Sequence, residues 1–168
     1  VRGAAAGGGI GLALLGDIVL AARSARFRLA YTAIGLTPDC GASWLLPRLV
    51  GPRLAADLIL TNRVLTGGDA ERCGLVSRAV ADDELDQAAH RIAADLAAGA
   101  GEALRAAKAL LRGDATEGLR RHLAEEARSI TGLASGPEAQ ARMAAFLTSG
   151  VRTGGGDDRD TRRPESVS

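Results

Sequence analysis

Through its first fifty residues the chain sets short apolar runs between glycines, prolines and charged turns; from Pro52 onward apolar positions recur at helical spacing. Gly3 to Gly11 reads GAAAGGGIG, and the run Ile10 to Leu15 follows at once. Three adjacent glycines permit a tight turn and close backbone approach, and the Leu/Ala run after them predicts a helix. Residues Asp17 to Ala22 predict a short buried strand, followed by a polar turn at Arg23 and Ser24. Arg26 to Leu29 alternates polar and apolar, the period of a half-exposed strand. Gly35 to Gly41 is punctuated by Gly and Pro as a loop, and Ala42 to Leu46 is predicted as a short helix that Pro47 stops.

Beyond it, Pro52 opens a helix to Leu60, with proline at its first turn. Gly67 to Cys73 predicts another, ending at Gly74, and Leu75 to Val80 reads as strand or extended chain. Asp82 and Asp83 begin a longer helix on which Leu85, Ala89, Ile92 and Leu96 share one face. Glu102–Leu111, Thr116–Leu133 and Pro137–Leu147 complete the set, the second carrying a stripe of Leu119, Leu123, Ile130 and Leu133. Residues 149–168 combine Gly154 to Gly156 with dense charge and are predicted to be a disordered tail. The expected organisation is therefore an α/β portion over 1–80, a helical region over 81–148 and a tail over 149–168.

Composition narrows the function. At 168 residues and 46% apolar the chain suits one domain with a real core. Its 21 basic and 20 acidic groups leave a charge of +1, which excludes a protein that coats nucleic acid. Residues 1–60 hold six Arg and three Asp, an excess that fits either an anionic ligand or a solvated surface. Cys40 and Cys73 cannot build a disulfide framework and lie far from His90 and His122, so no zinc site and a reduced, cytoplasmic compartment are expected. The longest apolar run, Ile10 to Ala22, is broken by Gly11, Gly16 and Asp17 and is too short to span a bilayer. No signal peptide is visible. The chain opens inside a Gly/Ala motif with no leading strand or Met, so a missing beginning is expected.

Two segments carry candidate chemistry. A backbone N–H in a glycine turn that opens a helix can hold an oxyanion or a phosphate, since glycine removes steric obstruction and the helix terminus adds positive potential. The ordinary alternative is close helix–strand packing. The dinucleotide and P-loop fingerprints are both absent. Asp39, between Pro38 and a helix start, is either the N-cap of that helix or a loop carboxylate placed for acid–base work. Cys40 reads as a packing residue because no cation beside it lowers its pKa. His90 and His122 have no Ser or Cys partner at a useful spacing.

Arg2 to Asp17 resembles the signature of the crotonase (enoyl-CoA hydratase/isomerase) superfamily, a glycine turn followed by L-A-L and an Asp. The match continues in order through Ala25 to Phe27, Gly35 to Pro38, Gly41, Leu46 to Arg48, Gly51, Leu60, Thr61, Ala70 and Gly74 to Val76, and covers residues 1–148. Thr37 to Gly41 and Trp44 to Arg48 are similar to the phenylacetate-type isomerases.

The resemblance implies repeated ββα units in a spiral, then helices used in trimerisation, with a homo-trimer or hexamer as the assembly. It implies an acyl-CoA substrate, coenzyme A being part of that substrate, with no separate cofactor, metal, nucleic acid or membrane. One of two enolate-holding N–H donors falls on Gly8, with Gly7 beside it; the other belongs to a motif upstream of Val1. The two glutamates of the hydratases correspond to Gly11 and Tyr31, which leaves Asp39, matching a third carboxylate position, as the base. Tyr31, Leu36 and Trp44 are expected to shape the acyl pocket. The implied activity is double-bond or ring isomerisation, in fatty acid or phenylacetate metabolism. An enoyl-CoA hydratase (a lyase) and a shortened, non-catalytic relative are the alternatives.

Overall fold

The computed structural model describes residues 1–113 and 115–150. Ala4–Ala6 form a strand, β1, although alanine is a poor strand former and no leading strand is expected there. The ladder decides it. β1 pairs in parallel with Arg26–Arg28, numbered β3 in chain order, setting the buried Ala5 opposite Phe27. β3 pairs in turn, antiparallel, with β4 (Leu65–Thr66). A second ladder joins β2 (Leu20–Ala22) in parallel to β5 (Arg78–Val80). β2 is thus shorter than the run Asp17 to Ala22, because Asp17 faces outward to Lys108 and Arg112. As alternation requires, Phe27 is buried between exposed Arg26 and Arg28.

Helix α1 (Gly8–Leu14) follows β1 and buries Ile10, Gly11 and Leu14. A 3₁₀ turn at Thr32–Ile34 leads into the loop that ends at Gly41. Helix α2 spans Ala42–Val50 and runs through Pro47, which does not stop it. Proline inside a helix costs about 3 kcal/mol; here the buried faces of Ala42 and Leu46 on the core offset it. The Arg48 guanidinium reaches back to the Trp44 carbonyl at 2.8 Å. The helix ends at Gly51, whose φ of 80° and ψ of 157° suit glycine. From there Pro52–Thr61 form α3, and Gly67–Arg72 form α4, the latter closed by a reciprocal cap between Thr66 and Asp69.

The C-terminal region is all helix among its described residues: α5 (Leu85–Ala98), α6 (Gly101–Arg112), α7 (Ala115–Ala134) and α8 (Pro137–Gly150). Their apolar stripes are only partly covered within this chain. On α5, Leu85 is buried but Ala89 and Leu96 are exposed, and on α7 Leu123 and Leu133 are exposed. Leu110 and Leu111 of α6 stand 84% and 89% open. Residues 149 and 150 belong to α8 rather than to a tail; the rest of the expected tail lies outside the described residues. Among the described residues no helix is long and apolar enough to cross a membrane.

Candidate functional site

The glycine turn does what its composition suggests. Gly7 takes φ 51° and ψ −129°, and its N–H donates to the Arg28 carbonyl at 3.0 Å, tying the start of α1 to β3. The Ile10 N–H closes the turn on the Gly7 carbonyl, also at 3.0 Å. Gly8 and Gly9 then stand in the first turn of the helix, where N–H groups have no intrahelical acceptor. A Cβ on Gly8 would lie 3.1 Å from Cys40 Sγ and 3.4 Å from Asp39 Oδ1. The Gly8 backbone and the Asp39 carboxylate therefore face each other across a gap one methyl group would fill.

Asp39 does not cap α2. Gly41 is the N-cap residue, and Asp39 contributes only its main-chain carbonyl, which accepts from the Ala42 N–H at 3.0 Å. Its side chain turns the other way because Cys40 and Gly41 adopt consecutive left-handed conformations, φ 53° and 77°. The buried Tyr31 hydroxyl donates to Asp39 Oδ1 at 2.6 Å. Burial first, then the Asp39 hydrogen bond, pushes the Tyr31 phenol well above its ordinary range, so it stays a donor. Hydrogen bonding to Asp39, followed by burial, likewise raises the Cys40 thiol, in keeping with a residue that is no nucleophile. Both cysteines are free.

Gly11 explains why this turn holds one carboxylate. Any Cβ there would run into the Cys40 carbonyl oxygen and come within 2.7 Å of Cys40 Cβ. A glutamate at this position is incompatible with the Asp39–Gly41 turn. Gly7, Gly8, Tyr31 and Asp39 thus meet in one place, and Leu36 joins the same loop through its N–H on the Tyr31 carbonyl at 3.0 Å. Trp44 keeps other company. Arg48 lies 3.3 Å over its ring, His122 sits 5.3 Å away between ring centroids, and Gly118 of α7 leaves it room.

The cap of α2 comes from far along the chain. Glu126 of α7, 5% exposed, accepts the Gly41 N–H at 2.8 Å, the Ser43 N–H at 3.0 Å and the Ser43 hydroxyl. His122 Nε2 lies 2.7 Å from Ser43 Oγ, so this histidine does have a serine partner. Since the serine proton points to Glu126, Nε2 carries the proton of that contact. His122 and Glu126 are one helical turn apart, a spacing visible in the sequence, but nothing in it tells which face of α7 meets α2. Three of the six N-terminal arginines have separate engagements: Arg2 pairs with Asp86, Arg26 holds the Ser24 carbonyl and Arg48 covers Trp44. Among the described residues no cluster of His, Cys, Asp or Glu could hold a metal ion.

Short strands and helices around a glycine turn that opens α1, followed by a helical C-terminal region, define the crotonase fold. Solved enoyl-CoA hydratase/isomerases share it: the structure from Pseudoalteromonas atlantica T6c superposes with a TM-score of 0.83 at 35% identity, covering 88% of this chain and 59% of that one. An enoyl-CoA hydratase from Mycobacterium avium subsp. paratuberculosis K-10 gives 0.84 at 33% identity, covering 89% and 61%. The family model for enoyl-CoA hydratase/isomerase matches residues 1–150. The chain belongs to this family.

Among its relatives, the 1,2-epoxyphenylacetyl-CoA isomerase of Escherichia coli K12 is 46% identical over 97 residues, 58% of this chain and 37% of the relative. A probable enoyl-CoA hydratase of Rhodobacter capsulatus is 40% identical over 147 residues, 88% of this chain and 57% of the relative. The 2,3-dehydroadipyl-CoA hydratase of Escherichia coli K12 is 36% identical over 147 residues, 88% and 58%. The chain spans 37% to 58% of the length of these relatives.

Proposed function

We propose that this chain acts on an acyl-CoA thioester as a double-bond isomerase. The Gly8 N–H holds the thioester oxygen, and Asp39 takes the proton from C2 of a 3-enoyl thioester. The bonding electrons pass into the carbonyl, giving a dienolate whose oxyanion the N–H stabilises. Asp39, now protonated, returns the proton to C4, and the double bond shifts into conjugation. Proton number is unchanged and no oxidant enters, so the reaction calls for no cofactor beyond the coenzyme A of the substrate. Tyr31 holds Oδ1 and so fixes the orientation of the carboxylate beside Gly8. Gly7 and Leu36 are the remaining candidates for substrate contact; Trp44, packed between Arg48 and α7, stands apart from them.

One observation carries this reading: a single carboxylate faces the Gly8 turn, and the room a second would need at position 11 is filled by Cys40. Water addition by a carboxylate pair finds no second carboxylate beside Gly8 among the described residues. The hydratase reading is favoured by a different observation, the hydratases similar over 88% of the chain. Solvent oxygen separates the two. In ¹⁸O water the chain is expected to convert 3-enoyl-CoA to the conjugated thioester without label and to leave 2-enoyl-CoA unhydrated; labelled 3-hydroxyacyl-CoA formed from 2-enoyl-CoA, with 3-enoyl-CoA untouched, would favour the hydratase.

The assembly we propose is a homo-trimer or hexamer, supported by the exposed Leu110, Leu111 and Phe146 on the C-terminal helices. Leu111→Glu is expected to lower the mass seen by light scattering. An unchanged mass would remove α6 from the interface.

A further inference from the structure

We infer that Glu126 is a positioning residue for Asp39: anchored on α7, its buried carboxylate fixes the left-handed Cys40–Gly41 turn that sets Asp39 beside the Gly8 turn. The inference rests on the reading of Asp39 as the proton carrier. Cys40 holds φ 53° without being glycine, a conformation that persists only where its surroundings impose it. The next residue, Gly41, has its N–H bound to Glu126 Oε2 at 2.8 Å, and Ser43 gives both its N–H and its hydroxyl to Oε1. A carboxylate at this depth is tolerable because three donors and the N-terminus of α2 face it. No other side chain contacts the backbone of the turn through a carboxylate at such burial among the described residues.

Ser43, His122 and Glu126 are not a nucleophilic triad. The serine hydroxyl donates to the carboxylate itself, and the backbone N–H groups of Gly41 and Ser43, which an oxyanion would need, are occupied by the same carboxylate. His122, 29% exposed and 3.8 Å from Glu125, donates to Ser43 Oγ and so directs the serine proton toward Glu126. The cluster braces a turn.

Cys40 reports on that turn independently of catalysis. Its thiol faces the carboxylate of Asp39, which dominates its raised ionisation, with Glu126 a smaller, more distant charge and the neutral Tyr31 hydroxyl nearby. The experiment is the pH profile of Cys40 alkylation by iodoacetamide, resolved from Cys73 by peptide mass, in the 168-residue chain and in Glu126→Gln, Asp39→Asn and the double variant. Glu126→Gln is expected to move the midpoint down, and the move is expected to shrink by more than about half in the Asp39→Asn background. An equal move in both backgrounds would mean that Glu126 acts on the thiol by charge alone, and no move in either would mean that it does not hold the turn; each overturns the proposal. Should Glu126→Gln fail to fold, Ser43→Ala removes the hydroxyl donor alone and is expected to give a smaller move of the same kind, its absence overturning the proposal.

In turnover of 3-enoyl-CoA, Glu126→Gln is expected to lower kcat on the order of tenfold with KM within about twofold. A normal kcat alongside a displaced Cys40 profile would contradict it. A Cys40 cycle as expected, in a chain where Asp39→Asn changes no rate, would keep the positioning and remove the isomerase reading.

Discussion

Tyr31 and Asp39 are eight residues apart, and a hydrogen bond of 2.6 Å joins their side chains. A hydrogen bond to a charged group contributes about 1.5–3 kcal/mol, so Tyr31→Phe leaves Oδ1 free to turn. It is expected to slow isomerisation by roughly ten- to a hundred-fold, measured as growth of conjugated-thioester absorbance at unchanged far-ultraviolet dichroism; a rate within twofold of the parent would show that the phenol does not orient the base. Gly8 and Asp39 could be named as candidates because each lies in a short motif bounded by glycine or proline, and Tyr31 because the family resemblance marks its position. Glu126 could not, because 85 residues separate it from the Gly41 N–H it binds. No local pattern marks which of several helical carboxylates will be buried.

Among the elements, α1 meets the turn before α2 closely at Gly11 and Cys40, which is why the turn bearing Asp39 lies against the turn bearing Gly8. Gly11→Ala places a methyl against the Cys40 carbonyl and is expected to destabilise the chain by about 1–3 kcal/mol, the range for overpacking, as read by urea unfolding. An unchanged midpoint would mean that α2 moves aside freely, and the site would then lack the rigidity claimed for it. Most elements could be read from period and punctuation: α3 from Pro52, β3 from the alternation about Phe27, α4 from its glycine boundaries. β1 and Pro47 could not. Three alanines become a strand only through their ladder to β3, and a proline is carried inside α2 only because Leu46 and Ala42 are buried on the core. Both outcomes are decided by packing at a distance, which propensity does not contain.

For the molecule as a whole, α6 is tied to the α/β portion through Asp17, which pairs with Lys108 and with Arg112 at 3.0 Å. The Lys108 hydrogen bond, chiefly, lowers the Asp17 carboxyl below its ordinary value of 3.8. A lowered carboxylate stabilises the fold fully above that ordinary value and loses its contribution as pH falls through the lower folded one. Amide exchange along α6 is therefore expected to quicken as the pH drops from about 5 to about 2, after correction for intrinsic rates, and to quicken in high salt at neutral pH. Protection that ignored both would show α6 to be held by other contacts. The exposed leucines beyond these ties could be read only as stripes; whether a stripe faces the core or a partner depends on what else is packed beside it.

The central claim is that Asp39 moves the proton beneath an oxyanion held at Gly8. The rate at which this chain converts a 3-enoyl-CoA to its conjugated isomer, beside the rate of Asp39→Asn, tests it most directly. The variant is expected to lose on the order of a hundred- to ten-thousand-fold in kcat, the span of general acid–base catalysis, with KM little changed. Equal rates in the two chains, or no conjugated product from either, would contradict the account.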